Sequence, residues 1–99
     1  GGGEMVRDFV HIEDAVCAAV ATISGSPRHA IYNVGSGESV SVLDVLRTTE
    51  RLLGQKIPVA FSATPHGFVN QNSLDISRLL REFPDLRFRR ITEGLDFLL

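Results

Sequence analysis

The stretch Arg7-Asp8-Phe9-Val10-His11-Ile12-Glu13-Asp14 limits what this chain can fold into more than any other. It reads as a charged turn, a short apolar segment, and two carboxylates that open an alanine-rich helix. Phe9 to Ile12 has the pattern of a short strand, and Glu13 to about Ser24 that of a helix. Within the helix, Ala15, Val16, Ala19, Val20 and Ile23 recur at helical spacing and form one apolar stripe, small enough to lie close against a neighbour. Asp14 or Glu13 suits the first turn, where a carboxylate accepts unpaired N–H groups and meets the positive end of the helix dipole. Arg7 stands at the mouth of the unit. Its planar guanidinium can grip a phosphate or carboxylate through two bonds, or pair on the surface with Asp8, Glu13 or Glu4.

Downstream, Ala30 to Val34 reads as the clearest strand, and Gly35-Ser36-Gly37 turns the chain sharply after it. Ser39 or Ser41 caps the next helix, and Ser41 with Asp44 three positions on makes a capping pattern with the shorter acid. Val42, Val45, Leu46, Leu52 and Leu53 mark the buried face of that helix, and Gly54 stops it. Ile57 to Phe61 is β-like but holds Pro58, which predicts an edge strand. The polar segment Ser62 to Asn72 is a loop long enough to suggest function. Asp75 to Phe83 returns to helical spacing through Ile76, Leu79, Leu80 and Phe83, with Pro84 closing it. A last helix starts near Thr92, carries Ile91, Leu95 and Leu98, and runs to Leu99 without a stop signal.

Ninety-nine residues suit one small domain, and a chain of this size buries roughly two-thirds of its unfolded surface. The hydrophobic share of 43% and charged share of 22% are those of an ordinary globular protein. A net charge of −2 argues against a general nucleic-acid binder. Arg78, Arg81, Arg87, Arg89 and Arg90 are interleaved with acids, which predicts a solvated mixed face and no nucleic-acid stripe. No apolar run is long enough to span a membrane, and no signal peptide is expected at the start. Cys17 is the sole cysteine, so no internal disulfide is expected; it reads as a small packing residue in a reducing cytoplasm. His11, His29 and His66 lie too far apart in sequence for a metal motif, and His11 is expected to hold its segment by a hydrogen bond. Gly35-Ser36-Gly37 follows a strand, but Val40 stands where a dinucleotide loop needs its third glycine, so it reads as a turn.

The pattern Gly-x-Gly-x-x-x-Arg-Asp-Phe-Val-His-x-x-Asp resembles the segment that opens the substrate-binding part of extended short-chain dehydrogenases/reductases. These are the NAD-dependent sugar-nucleotide epimerases and dehydratases, UDP-galactose 4-epimerase among them. Ile31-Tyr32-Asn33-Val34-Gly35-Ser36-Gly37 with Ser41-Val42-Leu43, then Asp75-Ile76-Ser77-Arg78, then Thr92-Glu93-Gly94-Leu95, are similar to the family's later landmarks. The resemblance covers the C-terminal third of such an enzyme. It implies an α/β fold of short strands and about four helices, completing a Rossmann-type parallel sheet and its smaller substrate domain.

Function follows from the same resemblance. It implies the substrate-binding portion of such an enzyme, the alternative being a stand-alone binding or assembly module without catalysis. Arg7 matches the family arginine on the substrate diphosphate, and Phe9 the aromatic wall of that pocket. A second family arginine, in an Arg-x-Gly-Asp context, is replaced by Pro65-His66-Gly67-Phe68, with His66 as a weak substitute. The loop Ser62 to Asn72 is expected to close over the ligand. The family's tyrosine with a lysine four positions on is absent, since the only tyrosine is Tyr32, followed by Ser36, and the only lysine is Lys56. NAD is therefore expected on an N-terminal domain upstream of Gly1, and this chain alone is expected to be inactive. Its expected partners are a sugar nucleotide and either that missing domain or a second copy, met through exposed apolar faces.

Overall fold

Helix starts are set by side chains that satisfy the first free N–H groups. The computed structural model describes every residue, Gly1–Leu99. Helix α1 (Ile12–Ser24) is capped by His11, whose Nδ1 accepts the Glu13 N–H at 3.2 Å. Neither Glu13 nor Asp14 is the cap, because Asp14 turns inward to another partner. Helix α2 (Val42–Leu53) opens on the expected box: Ser41 Oγ accepts the Asp44 N–H at 3.0 Å, and Asp44 Oδ2 accepts the Ser41 N–H at 3.1 Å. It ends at Gly54, which takes the left-handed conformation (φ 70°). Helix α3 (Ser77–Glu82) is shorter than the spacing predicts, as Asp75 Oδ1 takes the Ser77 N–H and starts the turn late. Helix α4 (Ile91–Leu98) borrows part of its cap from far away, Glu38 Oε2 accepting the Ile91 N–H at 3.0 Å.

The sheet is small and does not lie where the pattern suggests. Strand β1 (Val6–Asp8) pairs antiparallel with β2 (Ser39–Ser41), with Arg7 opposite Val40 and Asp8 opposite Ser39. On its other edge β1 meets the long loop: the Val6 N–H donates to Asn70 O at 2.9 Å and the Asn72 N–H to Val6 O at 3.0 Å. Phe9 to Ile12, expected as a strand, leads out of β1 into α1. Ala30 to Val34 joins no ladder either. Ile31 O accepts from the Arg78 side chain at 3.2 Å, where a strand's backbone partner would stand. Ile57 to Phe61 also stays irregular, because the Ile57 N–H is taken by Glu50 Oε1 and Pro58 has none to offer.

The resulting body is a plate of 47 × 34 × 15 Å, with a Cα radius of gyration of 15.9 Å. A compact chain of about 100 residues has a radius near 13 Å. Flatness costs the chain its core: only Ala18, Ile76 and Leu79 are buried apolar residues. Helix α1 turns Asp14 and Ala18 inward and leaves the Val16/Val20/Ile23 stripe out, with Ile23 83% exposed. Cys17 is exposed as well, so it is not the packing residue that its type suggests. No helix is long and apolar enough to cross a membrane. The architecture is a small α/β unit of four helices and a two-stranded sheet.

Candidate functional site

The polar residues of the opening stretch reach three parts of the chain: Arg7 the long loop, Asp8 the turn at Ser36, and His11, Glu13 and Asp14 together Arg89. Arg7 leans over the long loop, its Nη2 donating to Val69 O at 2.7 Å and its Nη1 to Val6 O at 2.8 Å. The guanidinium carbon stands 5.5 Å from the centre of the Phe68 ring. No carboxylate comes within ion-pair distance of Arg7: the alternative pairing with Asp8, Glu13 or Glu4 is not made. A guanidinium carries five N–H donors, so carbonyls occupy two and the full positive charge stays uncompensated. Arg7 is thus a cation fixed in position and left without a counter-charge.

Asp8 explains the turn that looks like a phosphate cradle. Its Oδ1 accepts the Ser36 N–H and the Ser36 hydroxyl, each at 2.7 Å. A Cβ on Gly35 would lie 2.6 Å from Asp8 Oδ2, so only glycine lets the carboxylate in. The chain's own carboxylate thus holds the Ser36 end of the Gly35-Ser36-Gly37 turn.

His11, Asp14 and Arg89 form the second polar centre. Asp14 is 6% exposed and takes the Arg89 backbone N–H at 2.7 Å and Arg89 Nη1 at 2.8 Å. Arg89 Nη2 reaches Glu13 at 3.0 Å, and Nη1 lies 3.1 Å from His11 Nδ1. Because His11 Nδ1 accepts from both Glu13 and Arg89, the ring proton sits on Nε2. Phe97 meets the His11 ring edge to face at 5.2 Å and lies under the Arg89 guanidinium at 5.5 Å. Arg89 is therefore no member of a solvated face, as its sequence context suggests; it ties the start of α1 to the approach to α4.

Glu82 gathers the loop after α1. It accepts the Arg28 N–H at 2.9 Å, His29 Nδ1 at 2.7 Å and the Tyr32 hydroxyl at 2.9 Å. Burial pushes its carboxyl up, and those three hydrogen bonds outweigh the burial, leaving it below the ordinary 4.5. Asp44 is lowered from 3.8 by the Ser41 hydroxyl and N–H, and Asp75 by the Ser77 N–H. The Ile57 N–H lowers Glu50 in the same way.

The three residues singled out for substrate do not share one pocket. Phe9 lines an apolar recess of about 190 Å³ with His11, Val45, Leu95 and Leu98, and Arg7 is not among its walls. His66 sits in an exposed turn closed by the Phe68 N–H on Pro65 O at 3.4 Å. Two residues along from it, Phe68 is the side chain that reaches Arg7. No local pattern marks this contact, since an aromatic residue in a polar loop carries no periodicity.

No family model matches the chain. It is 30% identical over its whole length to a dTDP-4-dehydro-6-deoxyglucose reductase of Escherichia coli, of which it covers 31%. It is 32% identical, over 81% of its length, to a UDP-glucose 4-epimerase of Bifidobacterium longum, covering 24% of that enzyme. Among solved structures, MoeE5 in complex with UDP-glucuronic acid and NAD superposes with a TM-score of 0.85 and 32% identity. That match takes in 96% of this chain and 32% of MoeE5. The chain thus spans less than a third of the length of these curated relatives. By sequence and by fold it is a relative of the NAD-dependent sugar-nucleotide epimerases and dehydratases, matching the C-terminal part of those enzymes.

Proposed function

We propose that this chain is the substrate-binding portion of an NAD-dependent sugar-nucleotide epimerase or dehydratase, and that Arg7 holds the diphosphate of the nucleotide. The observation that carries this is the state of Arg7: fixed by Val6 O, Val69 O and the Phe68 ring, with no carboxylate neutralising it. A phosphate oxygen is the kind of partner that such a preset fork accepts best. MoeE5 binds UDP-glucuronic acid and NAD. In the parent enzyme NAD belongs to another domain and oxidises a sugar hydroxyl by hydride transfer. Residues here bind and orient the nucleotide end, and the loop from Ser62 to Asn72 closes over the ligand, while Phe9 lines a separate apolar recess. The exposed face of Val16, Val20 and Ile23 packs on the rest of that enzyme, or on a second copy when the chain is alone. A reducing compartment such as the cytoplasm suits the exposed thiol of Cys17.

A non-catalytic binding module is the second reading, favoured by Tyr32 having Ser36 and no lysine four positions on. Both readings place the diphosphate on Arg7. NMR titration with UDP and UDP-glucose tests that shared claim: shifts should centre on Arg7 and weaken in Arg7→Ala. Shifts indifferent to the substitution contradict it. Restoring turnover by adding an NAD-binding domain in trans separates the enzyme reading from the module.

A further inference from the structure

We infer that Phe68 is a positioning residue for Arg7: its ring orients the guanidinium toward an anionic ligand. This inference deepens, and rests on, the diphosphate reading of Arg7. Three observations carry it. Phe68 is 48% exposed in a polar loop, so burying its own surface does not account for an aromatic residue there. Its ring centre lies 5.5 Å from the Arg7 guanidinium carbon, within the range of a cation–π contact. The neighbouring carbonyl, Val69 O, takes Arg7 Nη2 at 2.7 Å, so one dipeptide both stacks on the guanidinium and fixes its rotation.

The loop reaches β1 by backbone bonds on the other side of this dipeptide, between Val6 and Asn70 and Asn72. Those bonds do not involve the Phe68 side chain, so a change of ring leaves the docking of the loop intact. An arginine side chain otherwise samples many rotamers, and holding it in one before the ligand arrives removes that ordering cost from binding. His66, two positions earlier, needs no part in this arrangement.

The test compares Phe68→Leu and Phe68→Tyr with the unchanged chain by NMR. Leu keeps apolar volume and loses the π face; Tyr keeps the face. One readout is the displacement of the Arg7 side-chain resonances by the ring current, which reports that the ring lies over the guanidinium; rescue of UDP affinity by Phe68→Tyr is the readout that a merely structural residue would not move. The other is the UDP dissociation constant. Phe68→Leu should abolish the displacement and weaken UDP roughly two- to fivefold, the range of an exposed cation–π contact. Phe68→Tyr should retain both. Arg7 resonances that are unchanged in Phe68→Leu overturn the inference, as does lost displacement with unchanged UDP affinity in a chain whose binding Arg7→Ala weakens. If Arg7→Ala leaves UDP binding untouched, the diphosphate reading itself falls. The inference, which rests on that reading, then falls with it, and the ring-current shift reports only that Phe68 lies beside the guanidinium.

Discussion

Asp14 and Arg89, 75 positions apart, are joined twice: Asp14 Oδ2 accepts the Arg89 backbone N–H and Oδ1 accepts its Nη1, at 2.7 and 2.8 Å. The carboxylate is 6% exposed, so water cannot replace either bond. In a plate with three buried apolar residues, such polar ties do much of the work that a thicker core does elsewhere. They also fix the start of α1 against the approach to α4, and with it the strand that presents Arg7.

Asp14→Ala should therefore destabilise the chain more than a surface substitution does, by about 1–3 kcal/mol, the cost of leaving buried donors unpaired. Urea unfolding reads it. Glu13→Ala, which removes only the exposed limb of the same cluster, should cost about 1 kcal/mol or less. Equal losses for the two substitutions would mean that burial of Asp14 is not what gives the pair its strength.

Ser41→Ala should cost about 1 kcal/mol through loss of the α2 cap. Ser39→Ala should be near neutral, because Ser39 lies in β2 and takes no part in the box. Reversed midpoints in denaturant would place the cap at Ser39.

Acid should loosen the tie between α3 and the loop after α1. Glu82 is held below its ordinary 4.5 in the folded chain, so its contribution is fully present above that value. As pH falls from 4.5 through the lowered folded-state pKa, that contribution is lost. Thermal unfolding from pH 7 to pH 3 should show the fall, and Glu82→Gln should flatten part of it. A Glu82→Gln chain with the same slope would assign the acid sensitivity to Asp44, Glu50 or Asp75, which are lowered too.

How much of this was legible in the sequence depends on whether a feature is local. Ser41, Asp44 and Gly54 announce α2 because caps act within four residues, and the 3.6-residue spacing gives α1 and α4 in the same way. The strands were not legible. Val6–Asp8 and Ser39–Ser41 are three residues each, too short and polar for alternation, and they exist because they meet. Ala30 to Val34 carries the strand composition but has no backbone partner in this chain. Arg7 stands out in the sequence through its motif, as the candidate anchor. Its partners Phe68 and Val69, and the pairing of Asp14 with Arg89, depend on contacts across more than sixty positions that no local pattern encodes.

The outward face of α1 should drive association. Val16 and Val20 are each more than half exposed beside Ile23, and contiguous apolar patches of this kind seek a cover. Sedimentation should show self-association that Val20→Asp reduces without lowering helix content. A strictly monomeric chain that binds no hydrophobic dye would contradict this.

Arg7 as a diphosphate anchor is tested most directly by titrating uridine and UDP, side by side, against the unchanged chain and Arg7→Ala. The two ligands differ only in the group that Arg7 is proposed to hold. One charge-assisted fork supplies roughly 1.5–3 kcal/mol, and the millimolar range needs about 4 kcal/mol in all. UDP should therefore bind in the millimolar range, tighter than uridine by about tenfold or more, and Arg7→Ala should erase that difference while leaving uridine unchanged. A preference for UDP that survives Arg7→Ala, or its absence from the unchanged chain, would contradict the assignment.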